Sequence, residues 1–113
     1  LKNLYTFRKG DKNINISILK EGENTSRKHI VVSGRVQGVG FRYHVHRLAE
    51  AYHLTGWVSN LDSGDVELEV QGYQTDMEQF ILKLDKGSMF IRIDHMEVLD
   101  LKEIRESGFV VKS

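Results

Sequence analysis

The stretch Val32-Ser33-Gly34-Arg35-Val36-Gln37-Gly38-Val39-Gly40-Phe41-Arg42 changes its hydrophobic period in the middle. Before the glycines, Ile30, Val32 and Val36 share one face of an extended chain. After them, Phe41, Val45, Leu48, Ala49 and Tyr52 fall on one helical stripe. A strand therefore enters a glycine-rich loop and leaves it as a helix. Gly38 and Gly40 let backbone N–H groups turn inward, since no Cβ blocks positive φ angles or the approach of a ligand. Inward N–H groups form a nest, and the helix start behind them adds unpaired donors and partial positive charge. Arg42 sharpens the reading. A cation in the first helical turn opposes the helix dipole and costs up to about 1 kcal/mol, which a bound phosphate would offset.

The rest of the composition removes many functions. A chain of 113 residues has room for one core. Sixteen basic and sixteen acidic side chains cancel, and the longest basic run is Arg27-Lys28-His29, so nucleic acid is not an expected partner. Without cysteine there is no disulfide, no thiolate chemistry and no zinc-thiolate site, which fits a cytoplasmic protein. No apolar run approaches the length of a membrane span, so no membrane partner is expected.

Around the central stretch the chain divides simply. Residues 1–26 read as an amino-terminal extension, either disordered or a β-hairpin, with Tyr5 and Phe7 before a Lys9-Gly10-Asp11-Lys12 turn and the alternating run 13–18 after it. Residues 27–113 read as the compact domain. Its first strand covers about Lys28 to Val36. Leu54-Thr55-Gly56 breaks the first helix, and Gly56 to Asn60 is a second strand. Asp62-Ser63-Gly64-Asp65 is a turn, and Val66, Leu68 and Val70 alternate with Glu67, Glu69 and Gln71, as in a strand with one wet face. Thr75-Asp76-Met77-Glu78 has capping-box spacing ahead of the helical positions Met77, Phe80, Ile81 and Leu84, and Gly87 closes that helix. Strands at Ile91 to Val98 and Phe109 to Val111 complete the order. The result is an α+β fold, a ferredoxin-like sandwich of βαββαβ plus a short terminal strand, with a mostly antiparallel sheet and two helices on one face. In such a split βαβ unit the first two strands of the domain run parallel, so the glycine loop and Asn60 lie at the same edge.

Two stretches then carry a specific resemblance. Val32 to Arg42 fits the acylphosphatase signature, an aliphatic residue, any residue, then Gly-x-Val-Gln-Gly-Val-x-Phe-Arg, at every defined position. Gly56-Trp57-Val58-Ser59-Asn60, followed by Gly64, Val66 and Gly72, is similar to that family's second signature. The resemblance covers about residues 28 to 113. It implies a metal-free, cofactor-free enzyme that hydrolyses small acyl phosphates and releases inorganic phosphate. It further implies that Arg42 holds the substrate phosphate, that the backbone amides of Gln37, Gly38, Val39, Gly40 and Phe41 complete the cradle, and that Asn60 positions the attacking water. The residues suit these roles, because guanidinium offers a planar fork for two phosphate oxygens and a carboxamide both donates and accepts. Ser59 and Ser88 depart from residues usual in the family, a basic, Gln or small apolar residue and a proline respectively.

Competing readings use the same residues. The cradle could serve a non-catalytic phosphate or metabolite module, and residues 1–26 could add strands to a sheet edge or give an otherwise monomeric protein a dimer contact. The chain is also similar to the first domain of hydrogenase-maturation carbamoyltransferases, which continue into cysteine-rich segments. An RNA-binding module would carry its aromatics on the sheet, whereas Phe41 and Tyr43 fall at a loop–helix junction. His44, His46 and His53 are spaced so that no two form a chelate on one helical turn. Glu67 and Glu69 are expected to keep a strand face wet, Asp62 and Asp65 to form a turn, and Trp57 and Tyr52 to pack in the core or half-buried at its margin.

Overall fold

The computed structural model describes residues 4–8 and 24–113. The elements are β1 (Leu4–Arg8), β2 (Thr25–Arg35), α1 (Phe41–Ala51), β3 (Thr55–Asn60), β4 (Val66–Tyr73), α2 (Gln74–Lys86), β5 (Arg92–Leu101) and β6 (Phe109–Val111). One sheet takes the six described strands in the order β1-β5-β2-β4-β3-β6. Every pairing is antiparallel except β3 with β6, which is parallel. This is the expected ferredoxin-like arrangement with one strand more. Leu4–Arg8 lies along β5 at the sheet edge, from Leu4 opposite Leu99 to Arg8 opposite His95. The expected hairpin turn at 9–12 and return strand at 13–18 lie outside the described residues.

Alternation along the strands decides which face the helices cover. Ile30 and Val32 of β2, Val66, Leu68 and Val70 of β4, and Ile93, Met96 and Val98 of β5 are all buried. They meet Phe41, Val45 and Ala49 of α1 and Met77, Phe80, Ile81 and Leu84 of α2 in one cluster. A fully buried Leu, Ile or Phe contributes about 1.5–3 kcal/mol, so this two-layer core holds the helices in place. Leu48 and Tyr52 sit at its margin, half-buried, as their place on the stripe predicts.

Helix boundaries differ from the sequence reading at two points. Leu54-Thr55-Gly56 does not end α1. The helix stops at Ala51, and His53 takes the left-handed turn at φ 58. His53 N–H donates to Glu50 O and Leu54 N–H to Ala49 O, the paired bonds of a Schellman end, while Leu54 and Ala49 are both buried. The capping box at Thr75 does not form either. α2 begins at Gln74 after an extended Tyr73, with no side-chain cap. Gln74 N–H instead donates to Asn24 O at 2.8 Å, and Glu78 is buried within the helix, its Oε2 without a partner among the described residues. Gly87 closes α2 as expected, and Ser88 N–H donates to Ile91 O, a bond that proline at 88 would lack.

The opposite sheet face is not simply wet. Arg27 is 2% exposed and reaches Glu69 at 2.8 Å, Glu106 at 2.8 Å and Gln71 at 3.2 Å. His29 meets Glu67 at 2.9 Å. Gln71 also exchanges two hydrogen bonds with the backbone of Ile104, and Thr25 bonds Glu103. The segment 102–108 is thereby fastened across this face before the chain returns as β6.

Candidate active site

Strand β2 bends at a register shift between Ser33 and Gly34, and Val36 then leads into the turn 37–40. Gly38 and Gly40 hold φ angles of +74 and +78. Gly40 is the residue immediately before α1, and no side chain caps that helix. A Cβ added at either glycine would meet no atom within 4 Å, so the backbone conformation, and not crowding, demands glycine there. The first turn of α1 carries no acidic residue, which leaves its positive end open toward the loop.

A cleft of about 190 Å³ opens at this point, lined by Val36, Gly38, Gly40, Phe41, Arg42, Tyr43 and Asn60. Topology makes the meeting possible. β2 and β3 both run antiparallel to the intervening β4, so they run parallel to each other and their carboxyl ends share an edge. Gln37 and Val39, also predicted in the cradle, do not line the cleft. The Gln37 carboxamide donates to Leu61 O at 2.7 Å and Asp65 O at 2.8 Å, pinning the loop to the β3–β4 turn, while Val39 packs against the core.

Arg42 is held from an unforeseen direction. Its Nη1 donates to Lys112 O at 2.6 Å. Lys112 is itself fixed twice, by its N–H on Val58 O at 2.8 Å and by its ammonium 4.0 Å from the Trp57 ring centroid. Neither contact is visible in local sequence, because Arg42 and Lys112 lie 70 residues apart. Asn60 ends β3 opposite Val66, and its Oδ1 is closed to solvent without a hydrogen-bond partner among the described residues. Such orphaned acceptors are uncommon and costly, about 1–3 kcal/mol, and call for a specific reason. The adjacent Ser59 hydroxyl donates to Asn60 O, at 3.4 Å.

The titratable groups nearby do not converge. Desolvation, with a smaller contribution from the Arg47 charge, lowers the His44 pKa. His46 pairs with Glu50 on its own helix. Among the described residues no group of three His, Cys, Asp or Glu side chains is placed to hold a metal ion, and no helix is long and apolar enough to cross a membrane.

A family model for acylphosphatase matches residues 28–111. The chain belongs to the acylphosphatase family. An acylphosphatase of Bacillus licheniformis is 45% identical over 75 residues, covering 66% of this chain and 83% of that protein. The solved acylphosphatase of Coxiella burnetii superposes with a TM-score of 0.75 at 36% identity, over 79% of this chain and 94% of that one. Full-length HypF in its phosphate- and nucleotide-bound form gives a TM-score of 0.72 at 27% identity, but the match covers only 12% of that chain against 83% of this one. The acylphosphatase match thus spans the whole cleft, from the cradle through Asn60 to β6.

Proposed function

We propose that the cleft hydrolyses the carboxyl–phosphate bond of small acyl phosphates, giving a carboxylate and inorganic phosphate. The observation that carries the reading is the presence of Arg42, Gly38, Gly40 and Asn60 around one small cleft. In this reading Arg42 and the backbone amides of the turn that line the cleft, Gly38, Gly40 and Phe41, bind the phosphoryl oxygens, while Gln37 and Val39 hold the turn in shape. The guanidinium is oriented by Lys112 O, which leaves its remaining N–H groups for the anion. Asn60 orients the water. A half-turn of its terminal torsion, which is soft and two-fold, would exchange the orphaned oxygen and the nitrogen across the amide plane.

The chemistry asks little more of the protein. Water attacks phosphorus while the bond from phosphorus to the carboxyl oxygen breaks, and the electron pair leaves with the carboxylate. The water's protons pass to solvent and product phosphate. A loose phosphoryl-transfer transition state requires positioning and charge stabilisation, which a guanidinium, a nest of amides and a helix start supply. A carboxylate leaves without a general acid, so a site with no converging acid or base suits this substrate and not an alkyl phosphate monoester.

The test is acetyl phosphate hydrolysis by wild type and Arg42→Ala with a chelator present. Arg42→Ala should impair both binding and turnover, and free phosphate should compete with substrate. An undiminished rate in Arg42→Ala would overturn the assignment. Phosphate binding with no hydrolysis by wild type would instead identify a binding module.

A further inference from the structure

Tyr43 lines the cleft and is 65% exposed, although it follows Arg42 directly on a helix whose other aromatic at the cleft, Phe41, is 1% exposed. A lone exposed aromatic needs no explanation by itself. Its position at the cleft is the informative part. The apolar side chains of Val36 and Phe41 are committed to the core, at 2% and 1% exposure, and the remaining lining residues are glycine or polar. Among the described residues Tyr43 is therefore the one large carbon surface that the cleft offers to a ligand.

The size of the cleft says which part of a substrate would meet it. Pockets that enclose drug-sized molecules hold about 300–1,000 Å³, and this cleft holds about 190 Å³. It can take a phosphoryl group and the first atoms beyond it, while a larger acyl group must pass out through the mouth. In-line displacement adds a direction, because the leaving oxygen lies opposite the attacking water. With water held at Asn60, the acyl group points away from the end of β3 and out toward the mouth of the cleft. Consecutive helical residues differ by about 100° around the axis, so Arg42 can turn into the cradle while Tyr43 stands at its rim.

We infer that Tyr43 is a specificity-determining residue whose ring receives the acyl portion of the substrate, favouring acyl phosphates with a flat, apolar acyl group over acetyl phosphate. The inference rests on acyl phosphate hydrolysis at this cleft. Stacking of a planar group on the tyrosine face would supply the preference.

The experiment compares kcat/KM for benzoyl phosphate and acetyl phosphate in wild type, Tyr43→Phe and Tyr43→Ala, with circular dichroism confirming the fold of each. The benzoyl-to-acetyl ratio should fall roughly three- to tenfold in Tyr43→Ala, mainly through KM for benzoyl phosphate, and should persist in Tyr43→Phe. A ratio unchanged in Tyr43→Ala overturns the role of the ring while leaving acyl phosphate hydrolysis intact. A ratio lost equally in Tyr43→Phe overturns stacking in favour of the hydroxyl. A folded wild type that hydrolyses neither substrate overturns the underlying function, and this inference with it.

Discussion

Replacing Asn60 with alanine should move stability and activity in opposite directions. Oδ1 of Asn60 is buried and receives no donor from the described residues, and an acceptor left unbonded there costs about 1–3 kcal/mol in the folded state. Asn60→Ala removes that acceptor. It also removes the carboxamide's dispersion contacts, worth roughly 1 kcal/mol for a half-buried group of three heavy atoms. The backbone pairing of position 60 with Val66 does not depend on the side chain. The expected balance lies between about zero and 2 kcal/mol in favour of the variant. For a domain of this size each kcal/mol moves Tm by about 4 °C, so the melt should stay level or rise by up to about 8 °C. Meanwhile kcat for acetyl phosphate should fall by about 10²-fold or more, the loss typical of one oriented polar group in a preorganised site. Thermal unfolding followed by circular dichroism, paired with steady-state hydrolysis, reads both quantities on one preparation. A Tm lowered by more than about 4 °C would mean that the oxygen is well bonded in the native protein. A kcat close to wild type would remove Asn60 from the reaction. The predicted pattern, stabler and slower, is that of a polar group kept at an energetic cost for its task.

Two further outcomes test the frame around the site. The Glu106 carboxyl is shifted by desolvation, which raises its pKa, but hydrogen bonds from Arg27 and Thr55 and the Arg27 charge outweigh that and hold it below 4.5. A group depressed on folding stabilises above its unfolded value, and this contribution is lost as pH falls through the folded value. Wild type should therefore lose stability below about pH 4.5 more steeply than Glu106→Gln, as urea melts across that range will show. His53→Gly should stabilise by roughly 1 kcal/mol, since a side chain at φ 58 carries left-handed strain that glycine lacks. A lower Tm in His53→Gly would indicate that the imidazole makes a compensating contact.

The order of elements was legible because each announces itself within a few residues. Val66, Leu68 and Val70 alternate, while Phe41, Val45 and Ala49 recur at helical spacing, and packing then obeys both patterns. The glycine loop, Arg42 and Asn60 were legible for a related reason. One short motif specifies the turn, and the parallel course of two strands follows from the order of elements. What local sequence could not give was pairing at a distance. Arg27 sits at the start of the predicted domain, yet it is buried against Glu69 and Glu106, 42 and 79 residues away. Lys112 stands one residue past the last strand, yet its carbonyl holds the guanidinium of Arg42. Gln37 was placed in the cradle for its backbone, while its side chain ties two loops together. Thr75 and Glu78 misled because correct spacing does not fix where a helix starts. Once the first helical residue is Gln74, Thr75 is already inside the helix and cannot cap it.

The support of Arg42 also bears on how the molecule breathes. β6 is three residues long and, among the described residues, lies at the sheet edge and pairs only with β3, whereas β2 is paired on both sides along most of its length. Short edge elements open at free energies below that of global unfolding. Each opening of β6 would carry Lys112 away and leave the guanidinium without its carbonyl, so ligand affinity and local opening are linked. An anion that binds only the closed form lowers the open population by the factor 1 + [L]/Kd. Inorganic phosphate should accordingly slow amide hydrogen exchange at Val110, Val111 and Lys112, a signal at β6 from an event in the cradle.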